Sequence, residues 1–246
     1  MTQKIRVGAV SYLNTKPLIF GFEQGMMKDD IELIIDYPAN IAADLINNRI
    51  DIGLVPVAII PHLKEHYIIS DYCIACDGEV ASVCLFSDVP LDEIETILLD
   101  YQSKTSVALL KILLQEHWKI SPTLIQGKEL YENEITGTTA GLVIGDRALM
   151  QRQRSKYIFD LGEAWKEMTD LPFVFATWVS NKALPASFIA AFNEANAYGF
   201  IHLDAVLAQN AISFFDLKSY YNNFLKFKLD TQMKEAKALF LRKLNM

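Results

Sequence analysis

An α/β fold of two lobes around a ligand cleft is what this sequence predicts, on three observations. Short apolar runs alternate with amphipathic helical stretches through the first third, the alternation restarts after Pro90, and from residue 186 onward the chain reads as helix. Alternation of this kind favours right-handed crossovers and an open, mainly parallel sheet.

"KIRVGAV" is the first strand, and "TKPLIFGFEQG" a helix opened near Pro17 and closed around Gly25. Proline suits the first helical turn and glycine the position past the last. "IELIIDY" is a second strand, "ANIAADLINNR" a helix with one apolar face, and "DIGLVP" a third strand. The third is short and largely apolar, as buried parallel strands are. "HYIISDYCIA" and "VASVCLFSDVP" are extended. The second unit then runs as strand "TILLD", helix "KTSVALLKILLQEHW", strands "PTLIQ" and "AGLVIG", and short helix "DRALMQR". "LPFVFATWVS" is an apolar, aromatic, β-rich run that reads as an extended connection between lobes. The chain closes with the helical stretches "ASFIAAFNEANAYGFIHLDAVLAQNA", "LKSYYNNFL" and "DTQMKEAKALFLRKL". Residues 1–88 with 178–246 are therefore expected to form lobe one and residues 89–177 lobe two. The cleft between them, outside the carboxyl ends of the strands, is where such sheets bind ligands.

Bulk composition narrows the function. With 246 residues, 51% hydrophobic and 22% charged, the chain can bury a real core and lies far from the disordered range. Its fattiest stretch, "IGLVPVAII", is too short to span a membrane and is broken by Pro56 and Pro61. Net charge is −7 and the 23 Lys and Arg are scattered, which argues against nucleic acid as a partner. The N-terminal segment enters a strand almost at once, leaving no room for a secretion signal, so a cytoplasmic location is expected. Cys73 and Cys76 form a C-x-x-C in a strand-like context, which sends the two side chains to opposite faces and suits packing rather than redox chemistry. His62 and His66 lie four apart with no third ligand in view, so no metal is expected. No phosphate-binding glycine fingerprint appears, and no cofactor is expected.

The polar features lie at strand ends. After the first strand, "SYLNTKP" gathers Ser11 and Asn14 at the start of a helix, whose free N–H groups favour an anion; helix capping is the plain alternative. "DYQSKTS" repeats the pattern with Ser103, Thr105 and Ser106 beside Lys104, a cap or an anion-binding nest. Two such turns face to face would suit a ligand with two acidic groups. Ser82, placed on a strand face with Val80 and Cys84, is either bonded to backbone or aimed at a ligand. Asp146 reads as a helix cap and Arg147 as solvated. Phe173 is placed either against a ligand ring or in the core, and Trp165 and Trp178 in the packing.

Together, "GAVSYLNTKPL", "DIGLVPV", "GEVASVCLFS", "QSKTSVALLKILL", "IGDRAL" and "DLGEAWKEMTDLPFVFATW" resemble the chorismate dehydratases of the futalosine route to menaquinone over nearly the whole chain. The resemblance implies a fold like that of the type II periplasmic binding proteins, two α/β lobes with a central ligand cleft, in a cytoplasmic enzyme. It implies loss of water from chorismate to give 3-[(1-carboxyvinyl)oxy]benzoate, with Asn14 and Ser82 as the substrate-contacting, catalytic positions. Ser11, Ser103, Thr105, Ser106 and Phe173 are expected to bind substrate on the strength of their own local sequence. The sister 1,4-dihydroxy-6-naphthoate synthase shares the fold but opens with a serine-proline-cysteine-proline-asparagine-aspartate motif that is absent here. A non-enzymatic binding protein for a small dicarboxylate would carry the same turns, and is the remaining alternative. A transcription regulator would need a DNA-binding helix-turn-helix, for which no residues remain.

Overall fold

The computed structural model describes residues 4–244. Two mixed sheets are flanked by helices. The first has the order β2–β1–β3–β10–β4–β11, built from β1 (Ile5–Val10), β2 (Ile31–Asp36), β3 (Ile52–Pro56), β4 (Tyr67–Cys76), β10 (Phe173–Ser180) and β11 (Lys226–Lys228). The second has the order β7–β6–β8–β5–β9, from β5 (Val83–Ser87), β6 (Thr96–Leu99), β7 (Thr123–Gln126), β8 (Thr139–Ile144) and β9 (Tyr157–Asp160). β1, β2 and β3 are parallel to one another, as are β6, β7 and β8; β10 runs antiparallel to β3 and β4, and β5 antiparallel to β8 and β9.

Two strands sit in sheets the sequence does not reveal. β5 belongs to the second sheet, pairing Val83 with Ile144, and β10 is a central strand of the first, between β3 and β4. The chain therefore crosses between lobes at residues 77–82 and 170–172, upstream of the expected boundaries at 88 and 177. Every residue of β5 and β10 is buried. A strand covered on both faces carries no alternation to say which sheet it joins.

The helices set the two functional turns. α1 (Lys16–Glu23) follows β1 and α2 (Pro38–Ile46) follows β2, while α3 (Lys104–Leu113) follows β6 and α4 (Gly145–Gln151) follows β8. α5 (Leu161–Thr169), on a segment given no element in the sequence reading, leads into the second crossing. The C-terminal arm, α6 (Ala186–Ile201), α7 (Leu203–Gln209), α8 (Leu217–Ser219) and α9 (Thr231–Leu244), returns to the first lobe. Tyr220–Phe224 is a π-helical turn rather than part of the helix expected over 217–225.

α1 and α6 touch backbone to backbone. A Cβ on Gly199 would lie 1.9 Å from the Pro17 carbonyl oxygen, and one on Gly21 2.2 Å from that of Ala195. Because the obstacle is backbone, alanine at 199 must push α1 away from α6. Gly199→Ala is expected to cost about 1–3 kcal/mol, as overpacking does, read as a lower thermal midpoint; a midpoint equal to the wild type would contradict this close approach. Trp178 donates its indole N–H to Asn196 on α6 at 2.8 Å, and Trp165 to the Pro172 carbonyl at 2.9 Å. Both are packing residues. Cys73 and Cys76 are buried and free, and burial pushes the Cys73 thiol up to about 12.

Candidate active site

Where the crossing meets the two turns, a pocket opens between the lobes. Val10, Tyr12 and Asn14 come from the end of β1 and the turn after it, and Val80 and Ser82 from the first crossing. Ser103 and Ser106 come from the start of α3, Gly145 from the start of α4, and Phe175 and Ala176 from β10. The wall is apolar apart from one amide, three serine hydroxyls and the Tyr12 phenol.

Asn14 lies in a 3-10 turn (Leu13–Thr15) whose helices carry no side-chain cap. Its amide is thus not spent on capping; the Oδ1 accepts from Thr15 Oγ1 at 3.2 Å. Three further bonds fix this turn. The Leu13 N–H donates to Asp146 at 3.0 Å, the Leu13 carbonyl accepts from Tyr221 at 2.8 Å, and the Tyr12 hydroxyl donates to the Gln102 side-chain oxygen. Two of the three cross between lobes.

At the second turn Ser103 is the N-cap of α3, accepting from the Ser106 N–H at 3.1 Å, with the two hydroxyl oxygens 2.9 Å apart. Cap and pocket wall coincide in one residue. The free N–H groups of this helix start supply local positive potential in a protein of net charge −7.

Ser82 sits in a turn before β5, not on the strand. Ala81 has φ +63°, which breaks the extended run, and the Ser82 N–H folds back on the Val80 carbonyl at 2.7 Å. The Asp160 carboxylate holds this turn by accepting from the Val80 and Ala81 N–H groups at 3.1 and 2.8 Å. The same carboxylate caps α5 through Gly162 and Glu163. On the other side the Gly145 N–H donates to the Ser82 carbonyl at 2.8 Å. Gly145 has φ +63°, and a Cβ there would meet the Tyr12 ring at 3.0 Å, so glycine is required twice over.

Three expected binding residues lie elsewhere. Thr105 turns its hydroxyl to the Ala58 N–H at 3.1 Å, joining the lobes behind the pocket. Ser11 lines a neighbouring cavity with Tyr12, Tyr37, Tyr101 and Arg147. Phe173 is 1% exposed, packed edge-on to Trp165, Phe175 and Phe240; Phe175 is the aromatic that reaches the pocket. The bland readings of Asp146 and Arg147 also fail. α4 has no side-chain cap, and Asp146 instead receives Leu13 from the other lobe. Arg147 pairs with Asp100 at 2.6 Å and Glu132 at 2.5 Å and reaches Gln102 at 3.1 Å, behind the Tyr12–Gln102 contact.

Tyr220 is the residue that sequence reasoning missed altogether. Its hydroxyl is hydrogen-bonded to Ser82 Oγ at 2.6 Å. Nothing in "LKSYYNNFL" marks it, because a π-helical turn has no readable sequence period.

Burial pushes the Asp146 carboxyl up from 3.8 to about 6, against the pull of the Leu13 N–H and Lys16. The folded state thus holds the proton more tightly than the unfolded chain. The stability this group lends is complete below its ordinary value and is lost as pH rises through about 6. Asn at 146 keeps an acceptor for Leu13 without a charge to desolvate. Asp146→Asn should therefore gain thermal midpoint relative to wild type between about pH 5 and about pH 7.5. Parallel melting of the two proteins across that range would contradict this.

Residues 5–245 match the family model for menaquinone biosynthesis. A chorismate dehydratase from Thermus thermophilus is 27% identical over 225 residues, covering 83% of this chain and 81% of that protein. One from Campylobacter jejuni is 26% identical over 248 residues, covering 96% and 95%. The periplasmic aliphatic sulphonate binding protein SsuA from Escherichia coli aligns with a TM-score of 0.62 at 15% identity, over 100% of this chain and 91% of that one. The two-lobed architecture is that of the periplasmic binding proteins. Among the described residues no helix is long and apolar enough to cross a membrane, and no cluster of His, Cys, Asp and Glu could hold a metal ion.

Proposed function

The chain belongs to the menaquinone-biosynthesis family, and from that premise we propose that it is a hydro-lyase converting chorismate to 3-[(1-carboxyvinyl)oxy]benzoate. The setting we assign is the futalosine route, in the cytoplasm. Two relatives bear the name chorismate dehydratase. The observation that carries the reading is the chemistry of the pocket wall: an amide, three serine hydroxyls and the Tyr12 phenol in an apolar setting, with no carboxylate, imidazole or ammonium among the lining residues.

Chorismate brings two carboxylates. The reading assigns one to Ser103, Ser106 and the start of α3, and the other to Asn14 and Ser82. Its C3 proton is acidified through the adjacent double bond to the ring carboxylate. Donors that strengthen their hold as charge develops there lower the barrier. The base, in this reading, is the substrate's own enolpyruvyl carboxylate, since the wall offers only Tyr12 as a titrating group and burial raises that phenol. The carboxylate takes the C3 proton, the ring anion expels the C4 hydroxyl, and the proton leaves with it as water. The ring becomes aromatic and no proton is gained or lost overall. No histidine stands among the lining residues.

The test is to incubate the purified protein with chorismate and follow the aromatic product by absorbance and chromatography. Conversion to the benzoate ether supports the reading. Chorismate recovered unchanged, though bound, would make the protein a dicarboxylate-binding protein instead.

A further inference from the structure

We infer that Tyr220 is a positioning residue of this pocket: its buried phenol fixes Ser82 as a hydrogen-bond donor to a bound anion. The inference rests on the proposed reaction for its kinetic consequence, and on geometry alone for its effect on anion binding. Tyr220 is 1% exposed and stands behind Ser82, which does line the pocket. Its oxygen meets Ser82 Oγ at 2.6 Å. The ring is held edge-on by Phe215, with centroids 6.0 Å apart.

A serine hydroxyl has one hydrogen and two lone pairs, and a phenol has one hydrogen. Two polarities of the relay are possible. If Tyr220 donates to Ser82, the serine hydrogen is released toward the pocket. In the reverse polarity Ser82 donates to Tyr220 and turns lone pairs toward the pocket, which a carboxylate repels. An anion, able only to accept, selects the first. Burial holds the Tyr220 proton in place, so the phenol keeps that role across ordinary pH. The π-helical turn at Tyr220–Phe224 brings the hydroxyl to this point from a C-terminal arm that shares no other element with the pocket wall.

The test compares wild type, Tyr220→Phe, Ser82→Ala and the double variant. Phenylalanine removes one oxygen and keeps the ring against Phe215, so the thermal midpoint should stay close to wild type. With chorismate, Tyr220→Phe is expected to lower kcat by about 10- to 100-fold and to raise KM by no more than about threefold. The double variant should be no slower than Ser82→Ala, because the phenol works through that hydroxyl. The same four proteins are titrated with benzoate by calorimetry. Affinity should weaken about threefold or more in Tyr220→Phe and fall no further when Ser82→Ala is already present. A wild type that binds benzoate but leaves chorismate unchanged defeats the dehydratase reading, and the benzoate cycle then decides the inference by itself. Losses that multiply in the double variant, unchanged benzoate affinity in Tyr220→Phe, or a wild type that does not bind benzoate would overturn it.

Discussion

Asn14→Ala is expected to lower kcat by about 10²- to 10³-fold, roughly 3–4 kcal/mol of transition-state stabilisation, the effect of removing one oxyanion donor. KM should rise far less. The amide faces the pocket from a turn pinned at Leu13, Tyr12 and Thr15, so it is preorganised and pays no reorganisation when charge develops. Ground-state binding of a diacid is shared with Ser103, Ser106 and the start of α3, whereas the charge that grows on the ring carboxylate is met chiefly at Asn14 and Ser82. Losing Asn14 therefore costs more in the transition state than in the substrate complex. The fold should be untouched, because the side-chain bond lost is the 3.2 Å contact with Thr15. A kcat within about threefold of wild type would remove Asn14 from the mechanism.

Much of this site was legible in the chain. The run from Val10 through Pro17 announces a strand end, a polar turn and a helix start, and the structure keeps that order. At the second turn the helical period already separates the hydroxyls. Ser103 and Ser106, three apart, share a face, and Thr105 does not; only the first pair reaches the pocket.

Other features were not available. Phe173 and Phe175 look alike in sequence, and their fates are divided by an irregularity in the pairing of β10 with β4 between Val174 and Ala176. β5 and β10 are buried along their whole length, so no alternation assigns them to a sheet. Arg147 looks solvated until Asp100, Gln102 and Glu132 converge on it from separate segments. Tyr220 meets Ser82 across 138 residues of chain, a contact that only the tertiary fold creates. Local periodicity reports which residues share a face of one element, and it is silent on which elements meet.

The second large effect concerns the substrate rather than the protein. If the cleft fixes geometry while the enolpyruvyl carboxylate takes the proton, the rate depends on that carboxylate lying beside C3. Orientation of this kind is worth about 7–11 kcal/mol in the best cases. A protein base would make the carboxylate dispensable, and the lining residues offer none. Chorismate with its enolpyruvyl carboxylate converted to the primary amide preserves shape, keeps one acceptor oxygen and removes basicity. The decisive measurement is single-turnover conversion of this analogue by wild-type protein, with binding established separately by calorimetry. A bound analogue whose ring never becomes aromatic is the expected result. Turnover of the analogue at a rate within about tenfold of chorismate would contradict catalysis by a cleft that supplies donors and leaves the base to its ligand.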